Sequence, residues 1–462
     1  MARIVSEHAG ASGRRALLLL LVGALAAYSV ALVGPFQFDD RGVILREPTV
    51  HSLSATLTSL WGLRPLLKLS YAVCWALGQS PVTFHVFNVL VHLLNVALLV
   101  RVFAAATEPE LRWPFRGRVT PGATVAAVLF ALHPIQTEAV TYISGRSASL
   151  ATTFLLLALL LYAEGVRASC IRYWLGFTSL SFLAALATKE TSATLPLGLV
   201  LWDVLIERSR PHLVLRRFGP WLGVALAASV LLVMNPRYFT LLYNVLGQRS
   251  LADSLSHQLD GLTYLFGRLS LLEPLCIDPG LWMKAPTAIA VASAALVMVA
   301  ALLLAGWRAR RDPLLLFGVV WFLLQVFVPF VLLPRIDVIN ERHAYVGNVG
   351  LFLACGALGE RAFSGPRASL WRAWLPVALG LVLAALTLRR NLDYLSEIKL
   401  WQSTVRVAPK NPRAQNNLGV AYELEGRSNE AFVAYMRALK LEPRYVAAQD
   451  NLRRLNRKRS GH

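Results

Sequence analysis

Apolar residues in this chain gather in long, nearly unbroken runs rather than in the alternating or 3.6-residue stripes of soluble elements. Eleven such runs cover residues 16–34, 80–100, 119–133, 147–164, 173–187, 191–206, 218–234, 286–307, 313–333, 343–360 and 373–388. None contains Lys or Arg, in keeping with a cost of roughly 2.5–3.5 kcal/mol for such a charge at mid-bilayer. The runs predict about eleven membrane-spanning helices, the shorter ones completed by residues of the adjoining loops. The first run follows Arg14 and Arg15 and has no A-x-A cleavage site after it. It reads as an uncleaved span rather than a signal peptide. A twelfth stretch, 258–277, is interrupted by Arg268, Glu273 and Pro274 and predicts a helix lying at the membrane interface.

Beyond residue 389 the pattern changes to amphipathic helices. From Pro412 it follows a 34-residue repeat: Leu418, Gly419, Tyr422, Ala431, Tyr435, Ala438 and Pro443. Leu418 and Tyr422 share one helical face, Gly419 permits close helix approach, and Pro443 ends the second helix. Asn429 or Ser428 is placed to cap that second helix. Leu400, Trp401 and Pro409 before it, and Ala448 to Leu452 after it, look like partial repeats. A single repeat cannot bury its faces alone. The expected fold is therefore an all-α, polytopic membrane bundle at 1–389, with large outer loops at 35–79 and 235–285. A short tetratricopeptide-repeat (TPR) module follows at 390–462, with one full repeat at 412–445.

Composition agrees: 56% of the 462 residues are hydrophobic and 16% charged, whereas soluble domains carry about 25% charged. The net charge of +20 would suit nucleic acid if it were clustered on one surface. With a cytoplasmic N-terminus, however, the inner loops hold nineteen Lys and Arg in 69 residues and the outer loops twelve in 121. This is the positive-inside bias, anchored by Arg208, Arg210, Arg216 and Arg217 and by Arg308, Arg310 and Arg311. Topology explains the charge, and no nucleic-acid partner is expected. An odd span count places the C-terminal module outside, in a periplasm or a lumen. Cys74, Cys170, Cys276 and Cys355 form no CxxC pair, so neither a zinc site nor a redox motif is indicated. Only Cys74 and Cys276 share the outer side and could pair.

The unusual polar residues all fall at outer span ends. Phe36-Gln-Phe-Asp-Asp40 opens the long loop 35–79, and loops of more than about 15 residues are commonly functional. Arg64 and Lys68 lie on an amphipathic stretch of the same loop. Leu132-His-Pro-Ile-Gln-Thr-Glu138, with Arg146 on the next helix, follows the third run. Lys189-Glu190 follows the fifth run, and Asp337 to Tyr345 the ninth. Each has a plain structural reading: Asp39 or Asp40 as a cap, His133-Pro134 as a satisfied kink, Lys189 and Glu190 as interfacial anchors, Glu341-Arg342 as an ion pair. Together they bring acid and base from four loops to one membrane face, where ionisable groups are costly. Such a site suits a lipid-linked phosphosugar. Arg and Lys would hold the phosphate and stabilise it as leaving group, while a carboxylate takes the proton of an incoming hydroxyl. No metal or other cofactor is expected; the lipid-linked sugar is a co-substrate.

The motifs run in the order Phe38-Asp-Asp40, Arg64-Pro-Leu66, Phe84-His-Val-Phe-Asn88 with His92, Leu132 to Val140 with Gly145-Arg146, Lys189-Glu190, and Glu341-Arg-His-Ala-Tyr345. They close with Arg390-Asn391, Trp401, Pro409 and Asn417-Leu-Gly419. This order, from about Phe36 to Leu452, resembles the transmembrane and tetratricopeptide-repeat (TMTC) family of O-mannosyltransferases and its bacterial relatives. That family carries the C-type glycosyltransferase fold. The resemblance implies a polyprenyl-phosphate-sugar donor, an inverting transfer and a catalytic acid in the first outer loop. That role would fall on Asp39 or Asp40, and phosphate contacts on Arg64, Arg146 or Arg342. Beside it, the residues themselves offer Glu138 as a further acid and Lys189 as a further phosphate contact, with His133, Glu190, Glu341 and Tyr345 in support. The chain departs from the family in having about one full repeat where other members have many. It also has Asn348-Val-Gly350 where a Pro-Ser pair is more usual.

Two functional classes follow. One is a membrane glycosyltransferase acting on the outer or lumenal face, with membrane lipid, a polyprenyl-phosphate sugar, plausibly carrying mannose, and a protein acceptor or TPR partner. The other is a non-catalytic TPR scaffold, or a lipid-glycan ligase or transporter on a similar frame.

Overall fold

The computed structural model describes residues 2–59, 62–108, 119–168, 171–236, 239–240, 243, 250–283, 285–332, 337–363 and 369–459. Among these the chain is helical throughout and contains no strand. All eleven apolar runs lie on helices. Six are long and apolar enough to cross a membrane: Arg15–Val33, Pro81–Thr107, Ile143–Arg167, Ala288–Arg308, Pro313–Leu332 and Trp374–Leu395. Pro121–Leu132 and Pro134–Val140 add a seventh if the 51° bend between them is counted as a break within one span. The chain is a multi-pass membrane protein.

Close helix contact in the bundle depends on small residues, since lipid provides little hydrophobic drive between spans. The Glu341–Ala362 helix lies at the centre, against Pro313–Val326, Pro121–Leu132 and Arg146–Arg167. A Cβ at Gly318 would stand 2.2 Å from the Gly350 carbonyl, and one at Gly122 would stand 2.4 Å from that of Gly356. These glycines let the backbones touch. Pro134 lacks an amide proton and so breaks the Pro121–Leu132 helix. The break turns Thr137–Val140 and its Glu138 inward, where Glu138 is fully buried.

Two local expectations change. The interfacial helix runs over Leu251–Leu269, earlier than 258–277, because Ser250 caps its start, accepting from the Asp253 amide. It ends before Leu271, whose φ of 60° is left-handed. The cysteines Cys74 and Cys276 are free and buried, Cys74 against the Arg146 guanidinium and Cys276 beside the Tyr264 hydroxyl, so no bridge forms between them. Cys170, and the stretch 244–249 of the second large loop, lie outside the described residues.

The C-terminal segment forms the helices Glu397–Val407, Pro412–Leu424, Ser428–Leu441 and Val446–Arg459. Asn411 caps the second, accepting from the amides of Arg413 and Ala414. A Cβ at Gly419 would meet the Tyr435 ring at 2.5 Å, which is the close approach its position in the repeat calls for. Ser428 is the first residue of its helix and gives no side-chain cap; Arg427 holds the cap position instead. These helices also share a core with the membrane bundle. Tyr394, Leu400, Trp401, Ala414 and Leu418 pack with Tyr142 and Ile277.

Candidate active site

The loop that follows the first span holds a strained residue near its start. Phe38 has φ 46°, a left-handed conformation costing a non-glycine residue about 1–2 kcal/mol. That turn separates the two acids. Asp40 faces inward, 1% exposed, and accepts from the Gln37 amide at 3.0 Å and the Ser144 amide at 2.9 Å. The Ser144 hydroxyl donates to the same carboxylate. Burial nevertheless pushes the Asp40 carboxyl up to about 7, because removal from water outweighs three hydrogen bonds. Asp39 is half-buried and turns instead into a cavity of about 140 Å³. The Tyr142 hydroxyl oxygen accepts from the Asp39 amide at 3.0 Å.

Around that cavity stand Arg64, Lys189 and Arg342, with Tyr71, Ser144, Ser147 and His343. The four chain segments singled out for their charge thus meet at one place. Arg64 is also left-handed, φ 48°, at the cap of the Pro65–Leu77 helix. Its guanidinium forms a two-pronged pair with Glu190, Nε to Oε2 at 3.0 Å and Nη2 to Oε1 at 2.8 Å. Lys189 and Glu190, though adjacent, therefore divide their roles: one lines the cavity and the other orients its neighbour. Arg342, in the first turn of Glu341–Ala362, pairs with Glu138 at 3.2 Å, and its own amide donates to Glu138 Oε2 at 2.9 Å. Three cations and one carboxylate line a small polar chamber, with further acids behind two of the cations. Such an array can hold an anion and move a proton. Among the described residues no group of three or more His, Cys, Asp or Glu stands in a metal-binding arrangement.

The structure places other candidates away from the cavity wall. Arg146 is wholly buried, donating to Asn88 Oδ1 at 2.6 Å and to the carbonyls of Ser70 and Phe84 at 3.0 Å each. Its guanidinium lies over the rings of Phe87 and Tyr71, 4.4 and 4.7 Å from their centroids. It ties three helices together, and its neighbours Ser144 and Ser147 line the cavity in its place. Glu138 is occupied by Arg342. Glu341 accepts from the Tyr264 hydroxyl at 3.1 Å and the Cys276 amide at 2.7 Å, and lies 3.8 Å from Arg390; it forms no ion pair with adjacent Arg342. His133 accepts from the Ile135 amide at Nδ1 and meets the Leu269 carbonyl at Nε2, supporting the kink. Tyr345 lies inside the bundle with its hydroxyl between His92 and Asn95.

Tyr71, Ser144, Ser147 and His343 had no role assigned from sequence. The signal for Ser144 was its place before Gly145. A Cβ at 145 would lie 2.1 Å from the Glu138 carbonyl, so this glycine closes the turn that delivers Ser144 to Asp40.

A Caenorhabditis elegans protein O-mannosyl-transferase, F38B6.6, is 26% identical over 96% of this chain and 65% of its own length. The Drosophila melanogaster protein O-mannosyl-transferase Tmtc3 is 27% identical over 95% of this chain and 56% of its own, and mouse TMTC3 is 25% identical over 95% and 53%. The chain thus spans between about half and two thirds of these relatives. No family model and no solved structure matches it. The motif order and this similarity along nearly the whole sequence agree: the chain is similar to the TMTC protein O-mannosyl-transferases.

Proposed function

We propose that this protein is an integral-membrane glycosyltransferase that moves a sugar from a polyprenyl-phosphate donor to a hydroxyl of a protein acceptor on the outer or lumenal face. The single observation that carries this reading is the Asp39 carboxylate turned into one small cavity with Arg64, Lys189 and Arg342. The names of the relatives favour mannose as the sugar and a protein as the acceptor.

The chemistry asks for these groups in these roles. The acceptor oxygen attacks the sugar's anomeric carbon, and its proton passes to Asp39. The bond from that carbon to the phosphate oxygen breaks, and its electron pair stays on the phosphate. Attack opposite the leaving group inverts the anomeric centre. Charge grows on the phosphate in the transition state, so fixed cations stabilise the transition state more than the ground state. Three basic side chains supply that field without reorganising, two of them already held by Glu190 and Glu138. Asp39 contributes the proton transfer, worth about 10²–10⁴ in rate.

A transfer assay with purified protein and a panel of radiolabelled polyprenyl-phosphate sugars tests the reading. Transfer of one sugar to a hydroxyl acceptor, abolished by Asp39→Asn, is the expected result. No transfer from any donor, with the protein folded, would return the scaffold reading to the front.

A further inference from the structure

The loop that carries Asp39 is gripped by the C-terminal helices. The Glu397 carboxylate accepts a hydrogen bond from the Phe38 amide at 3.2 Å and pairs with Arg41, so it holds both sides of Asp39. The Phe38 ring stands edge-on to Trp401, centroids 5.1 Å apart and planes at 79°. Gln37 donates its side-chain amide to the Tyr394 carbonyl. Both gripping side chains are themselves enclosed: Trp401 is fully buried and Glu397 is 8% exposed. The grip falls on the strained residue. A left-handed Phe38 persists only where its surroundings fix it, and Trp401 and Glu397 are those surroundings.

The same helices hold the opposite side of the chamber. Arg413, on Pro412–Leu424, pairs with Asp278 through two bonds of 2.6 and 2.8 Å. Its second pair, at 2.5 Å, is with Asp337, five residues before the cavity-lining Arg342. The extramembrane segment therefore spans the site, from the loop of the acid to the loop of one cation.

We infer that Glu397 and Trp401 are positioning residues, which set Asp39 in the cavity by holding Phe38 left-handed, so that the C-terminal helices govern the catalytic loop. This rests on Asp39 acting as base, as proposed above. The consequence is specific. Loss of the grip displaces the acid and leaves the cations Arg64, Lys189 and Arg342 in place, so turnover falls while donor binding does not. A displacement of about 1 Å at a reacting group costs on the order of a hundredfold in rate.

The experiment uses the full chain in detergent with a short-chain polyprenyl-phosphate mannose as probe. Glu397→Ala and Trp401→Ala are expected to lower kcat by about 10–100-fold, with the donor KM unchanged within about twofold. Trp401→Phe, which keeps a ring against Phe38, should restore most of the loss, and Glu397→Gln, which keeps the acceptor for the Phe38 amide, should restore part. A second readout needs no activity: Asp39→Cys, labelled with an impermeant maleimide, should react several-fold faster when Glu397→Ala is added. An unchanged labelling rate, or a donor KM that rises as far as kcat falls, overturns the grip. If labelling accelerates but Asp39→Asn alone retains full transfer, the positioning stands and the role of Asp39 as base falls.

Discussion

Arg64 and Glu190 lie 126 residues apart in sequence and meet in a two-pronged ion pair, with both bonds at or below 3.0 Å and Arg64 on the cavity wall. Glu190 fixes the plane of the guanidinium against the cavity. The pair is partly exposed, 31% on Arg64 and 15% on Glu190, so its value lies in orientation more than in stability. Glu190→Gln should raise the donor KM about 3–30-fold with a smaller change in kcat, since the lost charge-assisted bonds orient a binding cation. Steady-state kinetics at varied donor concentration check this. A fall in kcat alone, at constant KM, would remove Arg64 from donor binding.

The acid pair should split on substitution. Asp39→Asn is expected to lower kcat by about 10²–10⁴ with little change in melting temperature. Asp40→Asn should mainly affect folding, because Asp40 is buried against Ser144 and Gln37. Its carboxyl rises from 3.8 to about 7 on burial. Between those values the folded chain holds a proton that the unfolded chain has released, so this group's contribution to stability falls as pH rises from about 4 to about 7 and is level above. Melting temperatures over that range should show the slope in the native protein, and Asp40→Asn should flatten it.

Gly145 is a position where no side chain fits. Its Cβ would overlap the Glu138 carbonyl at 2.1 Å and the Ala139 Cα at 3.0 Å, both backbone atoms that cannot swing aside. Gly145→Ala should destabilise the protein by about 1–3 kcal/mol or more, as overpacking at a closed turn does. Size-exclusion profiles and thermal melts in detergent check it. A normally folded Gly145→Ala variant would show that the 138–145 turn can open.

How much of this was legible follows from what each feature depends on. The apolar runs were plain because lipid requires them whatever the tertiary fold. The helical hairpin at 412–441 was plain because its amphipathic spacing is local. Four of the cavity's charged residues, Asp39, Arg64, Lys189 and Arg342, were found because ionisable side chains at span ends are rare. What escaped is direction. Asp39 and Asp40 are equivalent in sequence, and a single left-handed φ at Phe38 sends one to the cavity and the other to Ser144. Arg146, expected at the phosphate, is instead buried among helices, while the next residue, Ser147, lines the cavity. Glu341 was matched to adjacent Arg342, yet each pairs across the bundle, with Arg390 and Glu138.

Orientation in the membrane follows from the charge distribution. Residues 38–46 should be reachable from outside and 208–217 from the cytoplasm, by the positive-inside bias. Single cysteines at 43 and 210, probed with an impermeant reagent on sealed cells or vesicles, check this. A reporter fused after residue 462 locates the C-terminal helices, which should lie with Asp39, since Trp401 packs on Phe38. Labelling at 210 from outside would reverse the orientation.

Glu138 is the remaining acid near the cavity, and its partner decides its role. Its carboxylate is fully buried and takes both the Arg342 guanidinium and the Arg342 amide. A group so occupied anchors a cation and is poorly placed to accept a proton from an acceptor hydroxyl. Glu138→Gln removes the buried partner of Arg342, whose own side chain reaches the cavity, and should cost about 1–3 kcal/mol. The double variant Glu138→Gln with Arg342→Gln removes both charges, so its loss of stability should be smaller than the sum of the two single losses. The cycle should return a coupling of about 1–3 kcal/mol. Activity should separate the two further. Glu138→Gln acts through Arg342 and should weaken donor binding, leaving the pH dependence of kcat as it was. A pH–rate profile that loses its acidic limb in Glu138→Gln but keeps it in Asp39→Asn would transfer the role of base from Asp39 to Glu138.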